Sequence, residues 1–197
     1  MKKVIITLFL AFSLIETIDA QKALVEKSTW GIQFGINPVN VYNETRIVDK
    51  LALRTELGLG LFYGYKAGMD EEWSTSFNAS LEPRFYYNLN RRKQKSRNIG
   101  GNSGSYIAFN INYAPDFGML SNDYEAYTTL SLTPVWGTKL NIGRRFMFEF
   151  ATGLGYGTQW RDDYNYDWDT GNFYKTGKKN KYSDIMLFMR IGLGFWF

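Results

Sequence analysis

What most constrains this chain is an alternation of period two, sustained over runs longer than an ordinary strand. From Leu51 to Tyr65 the odd positions are Leu51, Leu53, Thr55, Leu57, Leu59, Leu61, Tyr63 and Tyr65, and the even ones are Ala52, Arg54, Glu56, Gly58, Gly60, Phe62 and Gly64. Successive side chains of a strand point to opposite faces, so this run has one continuous apolar face and one face of charge and glycine. The pattern recurs in 77–89, 130–142, 146–160 and 185–197. Shorter candidates stand at Ser28 to Ile36 and Val39 to Val48, separated by Asn37-Pro38, and at Ser105 to Tyr113. The segmentation predicts eight strands, at 28–36, 39–48, 51–65, 74–90, 104–114, 126–142, 146–160 and 182–197. Each is long enough to cross a bilayer at a tilt.

Two absences exclude whole classes of chemistry. The 197 residues contain no cysteine and no histidine. Disulfides, thiolate nucleophiles and Cys-based zinc sites are therefore out of reach, and the commonest general base and metal ligand is missing. The first twenty residues read as a cleavable signal peptide. Lys2 and Lys3 precede an apolar run from Val4 to Ile15 broken only by Thr7 and Ser13, and Ile18-Asp19-Ala20 ends on a small residue. That run is short for a membrane-spanning helix; an uncleaved anchor is the alternative. The expected organisation is thus a signal peptide at 1–20 and one domain at 21–197. No cysteine follows the run, so a lipoprotein anchor is excluded.

The composition of the minor face decides which way the strands look. It carries Glu44, Arg46, Arg54, Glu56, Glu82, Arg84, Lys139, Glu149 and Arg190 together with many glycines. A solvent face of a soluble sandwich or lipocalin-like barrel usually carries several lysines and little glycine. A narrow lumen instead needs small residues and charges that satisfy one another. The expected fold is all-β: a closed, up-and-down antiparallel transmembrane β-barrel of about eight strands, its lumen filled by that charge network. Connection lengths agree. Short turns at 48–50 and 143–145 and the basic stretch 91–103 fall at the periplasmic end, while 37–38, 66–73, 115–125 and 161–181 fall outside. Merging the first two strands would give seven and put the termini on opposite sides. Aromatic residues gather near strand ends: Tyr63, Tyr65, Phe77 and Trp160 outside, Phe85, Tyr87, Phe146 and Phe197 at the periplasmic side.

The C-terminal run Arg190-Ile-Gly-Leu-Gly-Phe-Trp-Phe197 resembles the terminal strand signal of outer-membrane barrels. The resemblance implies recognition of Phe197 by the barrel assembly machinery. Leu81-Glu-Pro-Arg-Phe-Tyr-Tyr-Asn-Leu89, Asn102-Ser-Gly-Ser-Tyr106 and Trp136-Gly-Thr-Lys-Leu-Asn-Ile-Gly-Arg-Arg145 resemble the small, uncharacterised outer-membrane barrel proteins common in Bacteroidetes. That resemblance implies an outer-membrane location with outer-membrane lipids as partners. It brings no active site, and no cofactor is expected.

Three features bear on chemistry. Arg91-Arg92-Lys93-Gln94-Lys95-Ser96-Arg97 holds five of the 23 positive charges, against a net charge of +4. In an exported barrel it reads as a solvated turn or a contact with anionic headgroups or cell wall, and no nucleic acid is expected. The acidic and aromatic segment 161–171 alternates Asp163, Asn165, Asp167 and Asp169 with Tyr164, Tyr166 and Trp168. A calcium loop counted from Asp163 would need glycine at Trp168 and glutamate at Tyr174, so no metal is expected there. The segment instead reads as a hairpin projecting past the membrane, with Tyr164, Tyr166 and Trp168 as candidates for a surface that meets an extracellular partner or glycan. Gly153-Leu-Gly155-Tyr-Gly157 lies inside a strand and reads as lumen glycine rather than a phosphate loop. The expected role is non-enzymatic, structural or surface-interacting; a lipid- or lipopolysaccharide-modifying enzyme and a narrow channel are the alternatives.

Overall fold

The computed structural model describes residues 23–64, 72–116, 128–168 and 171–197. The expected signal peptide, Tyr65 and most of the connections 66–73 and 115–125 lie outside the described residues. Eight antiparallel strands follow one another: β1 Ser28–Gly35, β2 Val39–Val48, β3 Leu51–Gly64, β4 Glu72–Tyr86, β5 Gly104–Ala114, β6 Thr128–Ile142, β7 Phe146–Asp167 and β8 Asn172–Trp196. Each pairs with the next, and β1 pairs with β8, so the sheet closes into a ring. The Asn37-Pro38 break is a genuine hairpin between β1 and β2, which gives eight strands rather than seven among the described residues.

Two stretches differ from the sequence expectation. The chain leaves β4 at Tyr86 rather than at position 90, and Leu89–Gln94 forms a short helix, α1, followed by a 3-10 turn at Gly100–Asn102. The period-two signal runs on into Leu89, but Leu89 is buried in the apolar cluster at that end of the ring instead of on the outer wall. The projecting hairpin expected at 161–171 is present, but β7 and β8 run on past the expected strand ends at 160 and 182 to form it, staying paired from Trp160↔Lys181 to Asp167↔Asn172. A bulge in β8 faces Asp163, and Gly177 adopts a φ of +78° within it, a left-handed conformation that glycine tolerates without strain.

The pairing registers fix the geometry of the ring. Starting at Ile185 on β8, paired positions run through Tyr156, Leu132, Ile111, Leu81, Thr55, Asn43 and Trp30. Trp30 is bonded to Phe197, just past β8, so one circuit is displaced by twelve residues (197 − 185). With strand spacing near 4.8 Å and a rise near 3.3 Å, that stagger tilts the strands by about 45°. Eight strands at this tilt enclose an interior just wide enough for side chains.

The two sides of the wall differ sharply. Along β6, buried and non-buried residues alternate almost without exception. Outward residues include Leu57, Leu154 and Leu187, each about two-thirds exposed (68%, 65% and 65%), while the inward ones are polar groups and small residues together with Tyr42, Tyr86, Tyr106 and Met147. Pro83 and Pro134 interrupt the ladders locally. The β4–β5 pairing lapses between Leu81 and Arg84, and the β6–β7 pairing between Leu132 and Val135. A proline has no N–H to give its neighbour, which accounts for both gaps.

One end of the ring is closed by chain. Ala23 and Val25 are buried there with Ala52, Tyr86, Leu89, Tyr106, Val135 and Ala151. The Ala23 amide donates to Asn90 Oδ1 (2.8 Å), that of Glu26 to Asn102 Oδ1 (2.7 Å) and that of Val25 to the Asp49 carbonyl (2.9 Å). At the opposite end the wall is uneven. β1 pairs with β8 only as far as Gly35↔Gly192, whereas β8 continues past that point to Asn172.

Inward glycines make room for rings from the neighbouring strand. A Cβ on Gly137 would lie 2.4 Å from Tyr106 Cζ, and that ring is held by the hydrogen bond from Tyr106 to Glu149. Gly137→Ala is expected to destabilise the fold by about 1–3 kcal/mol, measured as a shift of the urea midpoint. A midpoint unchanged from the parent would contradict the packing described.

Candidate functional site: an interior ion network and a projecting hairpin

Residues two apart on a strand share a face, so Arg54 and Glu56 on β3 point inward together, as do Glu82 and Arg84 on β4. Glu44 from β2, Lys139 from β6, Glu149 from β7 and Arg190 from β8 meet them inside the ring. All eight of these side chains are buried, with residue exposures from 0% to 5%. Arg84 bridges three carboxylates at 2.7 Å each: Nη1 to Glu44, Nε to Glu82 and Nη2 to Glu149. Arg54 binds Glu56 through Nε (2.8 Å) and Glu149 through Nη1 (3.2 Å), and gives Nη2 to Gln33 Oε1 (2.8 Å). Arg190 grips both oxygens of Glu82 (3.2 and 3.1 Å), and Lys139 reaches Glu44 at 3.2 Å.

Neutral donors complete the carboxylates. Tyr86 Oη (3.1 Å) and Asn102 Nδ2 (2.7 Å) donate to Glu44, Tyr106 Oη to Glu149 (2.5 Å) and Asn110 Nδ2 to Glu82 (2.7 Å). Tyr42 and Tyr106 offer ring faces to Arg54 (3.7 Å) and Arg84 (4.2 Å). Tyr42 and Tyr86 stand two residues from Glu44 and Arg84, so strand parity alone places them on the charged face. Asn102 sits in a connection, where no periodicity points to it.

One residue of the expected nine does not join. Arg46 lies near the end of β2, where the pairing with β3 becomes irregular between Arg46 and Val48, and it is only partly buried. Its Nε donates to the Val25 carbonyl (2.6 Å), outside the central cluster. The remaining set is balanced: Arg54, Arg84, Lys139 and Arg190 against Glu44, Glu56, Glu82 and Glu149. Taking an ion out of water costs several kcal/mol, so a surplus charge here would be far dearer than at the surface.

The second candidate region is the extension of β7 and β8. Trp168 at its tip is 87% exposed, and its ring meets Tyr166 edge-on at 4.9 Å between centroids. Tyr164 pairs through its backbone with Lys175. Asp163 accepts hydrogen bonds from Thr176 Oγ1 (3.0 Å) and Asn180 Nδ2 (3.1 Å), so its carboxylate fastens the hairpin internally. Lys179 Nζ lies 2.6 Å from Asp116 and ties the hairpin to the end of β5. That hydrogen bond holds the Asp116 carboxyl below its ordinary value.

No family model matches the chain, and neither a curated protein nor a solved structure matches it. The site's meaning therefore rests on its own geometry.

Arg84→Ala would leave Glu44, Glu82 and Glu149 short of a partner at once. It is expected to destabilise the fold by about 3–5 kcal/mol, whereas Arg46→Ala removes one partly exposed bond worth about 1 kcal/mol. Equilibrium urea unfolding of both variants checks this; equal losses would contradict the division between network and rim.

Proposed function

We propose that the chain is exported by its leader at 1–20 and resides in the bacterial outer membrane as an integral β-barrel. In this reading its filled lumen carries no traffic and its function is structural or surface-interacting. The observation that carries the reading is the inverted partition of the ring. Leu57 on β3, Leu154 on β7 and Leu187 on β8 are about two-thirds exposed, while four carboxylates and four cations are buried within. In water that arrangement would expose an apolar area far beyond what monomeric soluble proteins tolerate. In a bilayer the same wall is solvated by hydrocarbon, and the closed ring gives every strand a hydrogen-bonded neighbour on both sides.

Aromatic placement supports the same reading. Tyr87, Phe146 and Phe197 are exposed at one end of the wall and Tyr156 and Tyr182 toward the other, where amphipathic rings favour the interfaces. The resemblance of the C-terminal run to barrel assembly signals accords with it. The projecting hairpin, with Tyr166 and Trp168 at its tip, is the part of the molecule best suited to meet an extracellular partner.

The two alternatives meet specific obstacles. A general pore would have to pass the ion layer, in which Arg54, Arg84 and Arg190 fill the centre of the ring. A carboxylate-based lipid-modifying enzyme would need a free base, yet Glu82 and Glu149 are each engaged by more than one arginine.

Leu81→Arg on the outward face is expected to oppose membrane folding by about 2–4 kcal/mol. The reading predicts that the parent chain fractionates with outer membranes, shifts on gels when boiled and refolds into lipid vesicles, with the yield falling sharply for Leu81→Arg. It also predicts no resolved conductance in planar bilayers. Refolding unaffected by Leu81→Arg would contradict the facing, and steady single-channel steps would favour the channel.

A further inference from the structure

The basic stretch after β4 is not an extended turn. It folds so that Arg91, Arg92, Lys95 and Arg97 surround a cavity of about 380 Å³ that is also lined by Tyr87 and Asn88. Among the described residues no carboxylate is paired with any of these four cations. Arg92 is anchored from one side: its Nη2 donates to the Asn98 carbonyl (3.0 Å) and to Ser103 Oγ (3.1 Å). Its Nε is buried and has no acceptor. Burial and the charge of Arg97 both push the Arg92 guanidinium below its ordinary value, a sign that the pocket concentrates positive charge without offsetting it. Like charges held this close repel, and an anion in the cavity would relieve the repulsion and complete the Arg92 fork.

The position of the pocket says which anion. Tyr87, 46% exposed, lines the cavity and also accepts a hydrogen bond from Trp136 Nε1 (3.0 Å) on the outer wall. Ile107 and Trp136 continue that wall as exposed apolar surface (48% and 45%). A ligand with its anionic group in the cavity would therefore have hydrocarbon-facing wall directly beside it. We propose that this pocket holds the phosphate of an anionic phospholipid, with the acyl chains lying along the wall past Tyr87, Ile107 and Trp136. The inference rests on the membrane reading above and adds a specific lipid site to it.

The test uses the full processed chain refolded in neutral detergent micelles and titrated with phosphatidylglycerol, phosphatidylcholine or inorganic phosphate, with bound species counted by native mass spectrometry. One phosphatidylglycerol is expected to bind at least tenfold more tightly than phosphatidylcholine, with inorganic phosphate far weaker than either lipid. The combined variant R91Q/K95Q/R97Q, whose three positions are exposed, is expected to lose about a hundredfold in phosphatidylglycerol affinity. The variant K178Q/K181Q, which removes charge from the distant hairpin, should leave it unchanged. The gel shift on boiling checks that each variant forms the ring. Equal binding of the two lipids, equal losses in both variants, or inorganic phosphate binding as tightly as the lipid would each overturn the proposal. A preference for peptidoglycan fragments over phosphatidylglycerol in the same assay would also overturn it. Failure of the parent chain to enter phosphatidylcholine vesicles would instead contradict the membrane reading, so the two failures are told apart.

Discussion

Eight buried charges that cancel one another are the interaction on which the rest of this structure depends. Each ion loses several kcal/mol of hydration on entering the interior, and only a well-formed set of partners returns it. Those partners are spread around the whole ring. β2, β3, β4, β6, β7 and β8 supply the ions, β1 supplies Gln33, and β5 supplies Tyr106 and Asn110. A partly assembled sheet would leave several of these groups unpaired, so the polar layer favours complete closure over any open intermediate. Closure with only eight strands in turn keeps the interior narrow enough for Arg54, Arg84 and Arg190 to reach the same carboxylate, Glu149.

The outer wall follows from that choice. With polar groups consumed inside, the strands' other faces hold Leu57, Leu154, Leu187 and Leu193, together with exposed rings such as Trp30 and Phe146. Glycine belongs to the inner face for a steric reason: Gly31 and Gly137 each lie under a tyrosine ring from the adjacent strand. Those rings then stack on the arginines. The ends of the ring are unlike. One is sealed by Ala23, Val25 and Leu89 and carries the basic pocket, whereas the other extends into a hairpin whose tip is aromatic. This polarity gives the molecule two distinct surfaces for contact, one at the capped end of the ring and one on the projecting hairpin.

Much of this was legible in the sequence because strand parity is a strict rule. Once Leu57 is assigned outward, Glu56 and Arg54 must face in, and the register between strands then brings Arg84 against Glu149 across the ring. Parity fails where the strands end. Leu89 keeps the alternation but lies past the ladder, where the chain turns to cap the ring, so the helix it opens carries no periodic signature. Arg46 fails for the same reason: it has the right parity but sits near a strand end, beyond the reach of the central carboxylates. The length of the β7–β8 hairpin was hidden by its composition, since Asp, Asn and Lys disfavour strands in isolation while the paired backbones hold them in one. Asn102 belongs to the network through the folding of a connection, which no local pattern encodes.

The central claim, that the apolar face looks into hydrocarbon, can be read directly because the chain has no cysteine of its own. Single variants Leu57→Cys, Leu187→Cys and Lys178→Cys, each labelled with a small fluorophore and refolded into vesicles, report the surroundings of the wall and of the hairpin. Lipids brominated along their acyl chains should strongly quench the labels at positions 57 and 187 and leave the label at 178 bright. Equal brightness at all three in brominated and ordinary vesicles, with the chain remaining native and monomeric in detergent-free buffer, would contradict the account.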